Sequence, residues 1–303
     1  MPTTHIGEIA ALATAFFWTI TAISFEIAGK KVGSLSVNLI RLVIAFTFLT
    51  LYNFAVRGLP FPIDATAEQW FWLSISGIVG FVLGDLLLFQ AYVVIGARIS
   101  MLIMALAPFV AAIIGWFVLG ETMSGKQFLA LMLTFSGICI VVLKRPLNEN
   151  GEKMKKLRFK YPLAGLLLAF GGAVGQGGGL VLSKLGMGDY NPFAASQIRV
   201  LTGIVGFTLI FIFLRRLNET VESVKNKRAM LFITLGAFFG PFLGVSFSLL
   251  AIQHTTTGIA STIMSIVPIL IIPASVLIFK EKFNLVELIG AAISLAGVTM
   301  FFL

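Results

Sequence analysis

Long apolar runs separated by short polar breaks dominate this chain. Windows of about 20 apolar residues, the length a helix needs to cross a hydrocarbon core of about 30 Å, recur from one end to the other. About ten spans are predicted: 6–28, 35–56, 70–94, 99–119, 126–143, 162–183, 193–214, 229–252, 259–279 and 284–303. Little polypeptide is left outside them, and the longest break, 144–161, reads as a charged connector. The first run exceeds 20 apolar residues with no Lys or Arg before Lys30, which argues for a retained helix over a cleaved secretory signal.

Composition agrees with a bilayer as solvent. Of 303 residues, 58% are hydrophobic and 12% charged, with a mean hydropathy of +1.01, more apolar surface than a soluble domain of this length buries. The lone Cys139 lies within a span, which excludes a disulfide framework or a Cys-based metal site. The net charge of +9 could suggest nucleic acid, but the Lys and Arg residues sit in loops beside the spans. Positive-inside topology or contact with anionic lipid accounts for them, and no nucleic-acid partner is expected. Neither a metal nor a cofactor is called for.

The chain repeats itself. Shifted by 160 positions, Gly80 meets Gly240, Gly84 meets Gly244, Met104 meets Met264, Pro108 meets Pro268, Glu121 meets Glu281 and Gly137 meets Gly297, without a gap. Shifted by 158, Gly7 meets Gly165 and Arg41 meets Arg199. Each copy carries five spans, an odd number, so the second enters the membrane opposite to the first. The fold class is therefore an all-α membrane protein of about ten transmembrane helices in two inverted five-helix repeats, the layout of many secondary transporters. The division expected is 1–145 for the first copy, 146–161 for the connector and 162–303 for the second.

A Pro in the fourth span of each copy, a Gly-Glu or Lys-Glu pair ending that span, and a following span bearing Gly137 or Gly297 resemble the EamA repeat of the drug/metabolite transporter superfamily. The resemblance covers nearly the whole chain as two tandem units, with Gly120 of the first copy replaced by Lys280 in the second. It implies a ten-helix carrier of the bacterial inner membrane whose cavity lies between the first four helices of each half, the fifth and tenth being peripheral. It also implies export of amino acids or other small metabolites. Lipid handling by a flippase-like protein and drug extrusion occur in the same superfamily and stand as the alternatives.

Several positions carry candidate chemistry. Glu121 and Glu281 suit capping of the helix that follows each, with substrate contact as the alternative. Pro108 and Pro268 each remove a mid-span hydrogen bond, so they predict paired kinks, serving either gating or packing. Gly80/Gly84 and Gly240/Gly244 form small-residue strips that let helices approach closely. The run GGAVGQGGGL in the sixth span suits either tight packing or a locally unwound helix beside the cavity.

Charges inside spans are costly and face cavities or partners. Counting along the spans places Glu26, Arg41 and Asp85 toward one face, as a cluster closing that end. Lys184 and Arg199 count toward the other. Arg41 and Arg199, at matching positions, are candidate substrate or gate charges, and Asp85, opposite Val245 in the repeat, is the partner of Arg41 or a proton-coupling carboxylate. Trp18 offers a surface for stacking, Gln90 and Gln176 offer polar contacts, and Lys184 is also placed to snorkel. This mix suits a zwitterionic substrate.

No HExxH, GxSxG, CxxC or phosphate-binding GxxxxGK pattern is present, which argues against an enzyme and leaves gradients or exchange as the driving force. Most basic loop residues fall on the face reached after the first span, with Arg57, Lys126 and Lys184 on the other, so the positive-inside rule puts both ends of the chain outside, whereas the family resemblance implies both inside. The expected partners are a small-molecule substrate and membrane lipids; oligomeric state is not legible.

Overall fold

The first breaks between helices carry residues that stop one helix or start the next. The computed structural model describes residues 5–119, 124–144, 158–159, 161–255, 260, 263–280 and 285–302. The first span, Ile6–Val32, ends at Gly33, whose φ of 80° leaves the helical region while its N–H still donates to the Gly29 carbonyl. The second, Ser34–Arg57, stops at Gly58 in the left-handed conformation. Thr66 then opens the third span with a capping box. Its Oγ1 accepts from the Gln69 N–H at 3.2 Å, and Gln69 Oε1 accepts from the Thr66 N–H at 2.9 Å. Asn191, followed by Pro192, caps the seventh span in the same spirit.

The third and fourth spans run on without a loop. A single corner at Gly96, φ 81° and ψ 157°, breaks the helical run Ala67–Met104, a conformation open to glycine and costly for other residues. The fourth span is interrupted again by a turn at Ala105–Leu106 and resumes as Ala107–Leu119. The ninth has the same turn at Ser265–Ile266 before Val267–Phe279. Pro108 and Pro268 each stand at the second residue of the resumed helix, where a missing N–H is tolerated.

The remaining spans are Gly125–Val142, Leu163–Met187, Pro192–Leu214, Lys227–His254 and Leu285–Phe302. The protein is thus an all-α membrane protein with about ten helices, as the hydropathy pattern predicts. Large apolar side chains such as Ile9, Phe16, Phe54, Phe213 and Leu277 point outward, as a surface solvated by lipid tails requires. A two-residue antiparallel pairing, Leu143 with Phe159 and Lys144 with Arg158, brackets the connector. Glu121 and Glu281 lie outside the described residues. Lys280 adopts φ 53° at the end of the ninth span, a left-handed position that the glycine of the first copy would take without strain.

Two features depart from the sequence reading. The third and eighth spans each contain a π-helical segment, Ile78–Gly84 and Phe238–Gly244, at matching repeat positions. The backbone is widened there, and the sixth span, whose glycine run suited either tight packing or local unwinding, is a continuous α-helix. Its glycines serve contact: Gly175 lies against Gly84 and Gly179 against Gly80, backbone to backbone. The basic run after the seventh span also holds a short amphipathic helix, Leu217–Lys225, exposing Leu217, Val221 and Val224 on one side and Glu219, Glu222 and Lys225 on the other. That division suits the headgroup plane.

Under the positive-inside rule the face carrying this helix is expected to be the cytoplasmic one. A cysteine introduced at Asn226 in a Cys139→Ser background is therefore expected to react with an impermeant maleimide only after cells are opened. Labelling of intact cells would reverse the orientation.

Candidate functional site between the two halves

Where the first four spans of each copy converge they leave a cavity of about 130 Å³, many times the ~10–15 Å³ a single water occupies by the same measure. Its wall draws on eight spans: Trp18, Arg41, Asp85 and Met104 from the first half and Gln176, Arg199, Ser248 and Met264 from the second are among its residues. Among the described residues none of the lining comes from the fifth or tenth span, and these two pack on each other. Thr134 Oγ1 there donates to the Ser294 carbonyl at 3.3 Å.

The lining is organised by the repeat. Arg41 and Arg199, Trp18 and Gln176, Met104 and Met264, and Pro108 and Pro268 occupy matching positions and all face the same space. The symmetry fails at the acid. Asp85 has Val245 as its counterpart, and both line the wall.

Asp85 is held on both oxygens. Arg41 Nη2 donates to Oδ2 at 2.5 Å, and Gln176 Nε2, from the other half, donates to Oδ1 at 2.6 Å. Asn38 braces the pair, accepting from Arg41 Nε at 3.2 Å and donating to the Asp85 backbone carbonyl at 3.2 Å. The ion pair is buried, with 3% and 4% of the two side chains exposed. Phe89 lies 4.3 Å from the Arg41 guanidinium carbon and Phe81 5.5 Å from it, a cation–π arrangement.

Arg199 is placed differently. It is 4% exposed and lies 5.1 Å from the same Phe81 ring. Among the described residues its Nε meets no acceptor and it forms no ion pair. Two guanidinium groups therefore flank one ring, and one carboxylate, Asp85, attracts both while touching Arg41 alone, so the group keeps one surplus positive charge.

Three of the sequence candidates stand elsewhere. Glu26 does not join Arg41 and Asp85. It pairs with Lys30 and accepts from the Ala97 N–H at 2.6 Å, where it caps the helix restarting after the Gly96 corner. Gln90 accepts from Ser34 Oγ at 2.5 Å on an exposed face. Lys184 lies on the exterior of the sixth span, so Arg199 joins the Arg41–Asp85 region and forms no basic pair with it. Trp18, Arg41, Asp85, Gln176, Arg199 and both prolines line the cavity.

Tyr92 was not among the candidates. Its ring stacks on Phe89 at 5.3 Å, and its hydroxyl donates to Met101 Sδ at 3.2 Å. Extending the helical period from Asp85 through Leu88 and Phe89 to Tyr92 would have found it.

Polar locks join the spans on the far side from the basic loops. Gln197 accepts from Asn53 Nδ2 at 2.8 Å and donates to Thr50 Oγ1 at 2.9 Å. In the neighbouring loops Asp64 pairs with Arg57 at 2.5 Å and accepts from the Tyr190 hydroxyl at 2.9 Å. Desolvation, helped by that bond, pushes the Tyr190 phenol up to about 12, so it stays a proton donor at neutral pH. Among the described residues, no three His, Cys, Asp or Glu side chains gather as a metal site would require.

A sequence model of the EamA-like transporter family matches residues 5–143 and 163–303. The chain belongs to that family. YetK of Bacillus subtilis (strain 168), described as an uncharacterized transporter, is 23% identical over 266 residues, covering 86% of this chain and 75% of its own. A solved crystal structure, described only as that of a protein, superposes with a TM-score of 0.61 at 13% identity over 97% of this chain and 95% of that one. The likeness supports the fold. With the EamA-like family established, the protein is a transporter of the drug/metabolite type and an integral protein of the plasma membrane.

Proposed function

We propose that this EamA-like protein is a secondary carrier that moves a small metabolite, such as an amino acid, outward by alternating access of its two halves. One observation carries the reading: the cavity is lined by pairs of residues at equivalent positions of the two copies. A site at the interface of inverted repeats can be exposed to either face when one half rocks against the other. The turns before Pro108 and Pro268 and the two π segments give both halves the same interrupted backbone beside that site. The Gln176 bond to Asp85 crosses from one half to the other and must break or re-form as they move.

In this reading Arg199 and the Arg41–Asp85 pair supply charge, Trp18 a stacking surface, and membrane lipid the surroundings. The test compares extracellular metabolites of cells overproducing the wild-type chain and Arg199→Ala at equal membrane abundance. One compound class is expected to accumulate outside with the wild type alone. Identical profiles, repeated with Arg41→Ala, would remove metabolite export and bring lipid handling forward.

A further inference from the structure

The lining charges do not balance. Arg41 and Asp85 cancel as a close pair, and Arg199, at 4% exposure, has no such partner among the described residues. An arginine remains charged in any protein environment. Asp85 also attracts Arg199, but one carboxylate cannot neutralise two buried guanidiniums, and the cost of the remaining charge is offset when an anion arrives. The cavity therefore carries one surplus positive charge and a largely apolar wall, including Trp18, Phe81, Phe89, Met104 and Met264, with the neutral side chains of Thr21, Tyr92 and Ser248 among them.

We propose that the cavity takes an apolar monocarboxylate, its carboxylate on the Arg199 guanidinium and its hydrocarbon or aromatic body against the Phe and Met side chains. This rests on the carrier reading above and narrows its substrate to a carboxylate without an ammonium group, in place of the amino acid given there as the example. Three features of the site select that chemistry. The planar guanidinium fork matches a carboxylate bidentately. A dianion would exceed the single surplus charge. The ammonium group of a zwitterion would find no free carboxylate, since Asp85 is engaged on Oδ2 by Arg41 and on Oδ1 by Gln176, and would have only neutral hydroxyl oxygens and aromatic faces beside two guanidiniums. The even mix of Arg, Asp and Gln that suggested a zwitterion is, in three dimensions, a closed Arg41–Asp85–Gln176 group beside an open Arg199.

Three radiolabelled probes sharing one phenyl-ethyl skeleton separate the possibilities: hydrocinnamate with a carboxylate alone, phenylalanine with both groups, and phenethylamine with an ammonium alone. Binding is measured on the full chain in lipid nanodiscs. Hydrocinnamate is expected to bind at least about tenfold more tightly than either amine-bearing probe, and Arg199→Gln to weaken it about 10- to 100-fold, the range for a lost charge-assisted bond. Arg199→Lys, which keeps the charge without the fork, should fall between, and both variants are checked for an unchanged thermal midpoint. The proposal is overturned if phenylalanine or phenethylamine binds as well as hydrocinnamate. It is equally overturned if folded Arg199→Gln retains full affinity, or if none of the probes binds. Flux into proteoliposomes is read separately. Hydrocinnamate that binds through Arg199 but is never moved would sink the carrier reading and leave the anion site standing.

Discussion

Asp85→Ala is expected to cost the folded protein about 3–5 kcal/mol, the usual penalty for stripping one partner from a buried ion pair. The loss arises at Arg41. Its guanidinium is 3% exposed and keeps only the Asn38 side chain as a hydrogen-bond acceptor once the 2.5 Å contact is gone. Gln176 simultaneously loses the acceptor that ties the second half to the first. Thermal unfolding in detergent, followed by circular dichroism, reads the effect as a large fall in midpoint. The double substitution Arg41→Met/Asp85→Leu separates pair loss from general disruption. Replacing both charges with apolar groups of similar size is often close to neutral, so the double variant should recover most of the stability while remaining inactive in export. If Asp85→Ala alone unfolds within a degree or two of the wild type, water reaches the pair, and its structural role is small.

Gly175→Ala is expected to be the most damaging single-methyl change in the sixth span. A Cβ built there would lie 2.8 Å from the Gly84 backbone N and 3.0 Å from the Val79 carbonyl oxygen, and nearer still to the Gly84 Cα. Backbone cannot swing aside as a side chain can, so the third and sixth spans must separate, at about 1–3 kcal/mol for overpacking of this kind. Gly178→Ala is the control. Its added methyl meets only the side-chain tips of Val79 at 3.3 Å and Ile114 at 3.5 Å. Alanine is also the better helix former by about 1 kcal/mol on soluble scales, so Gly178→Ala should be neutral or stabilising. Membrane abundance and melting of the two variants side by side give the contrast; equal behaviour would mean that the spans are not in backbone contact at Gly175.

Much of this arrangement is written in the chain's self-similarity. The apolar windows predict about ten spans and the internal shift pairs Pro108 with Pro268, and both prolines follow a turn at the same point of the fourth and ninth spans. It also pairs Arg41 with Arg199, and both reach the cavity. What counting along a helix cannot supply is the direction in which a side chain leaves it. Lys184 is eight residues beyond Gln176, roughly 80° further round the helix. Gln176 therefore meets Asp85 while Lys184 meets the exterior. Glu26 was placed at a sensible depth, but its partner is the backbone N–H of Ala97, freed by a glycine corner that no apolar window reveals. The π segments are invisible for a related reason. Their residues are apolar throughout, and the choice between ladder registers depends on how Gly80 and Gly84 seat against the sixth span, a tertiary matter.

The peripheral pair of spans has a consequence for how the protein is made. A Cβ at Gly137 would fall 2.5 Å from the Gly290 carbonyl oxygen and 2.5 Å from the Ser294 N, so the fifth span has its partner in the tenth. The fifth leaves the ribosome about half a chain length earlier, a delay of order ten seconds at about 5–20 residues per second. Throughout that interval its glycine face lacks the tenth span that it meets in the folded chain. The first half therefore inserts early but is completed last, and a nascent chain interrupted before residue 285 carries an unmatched helix face that marks it as unfinished.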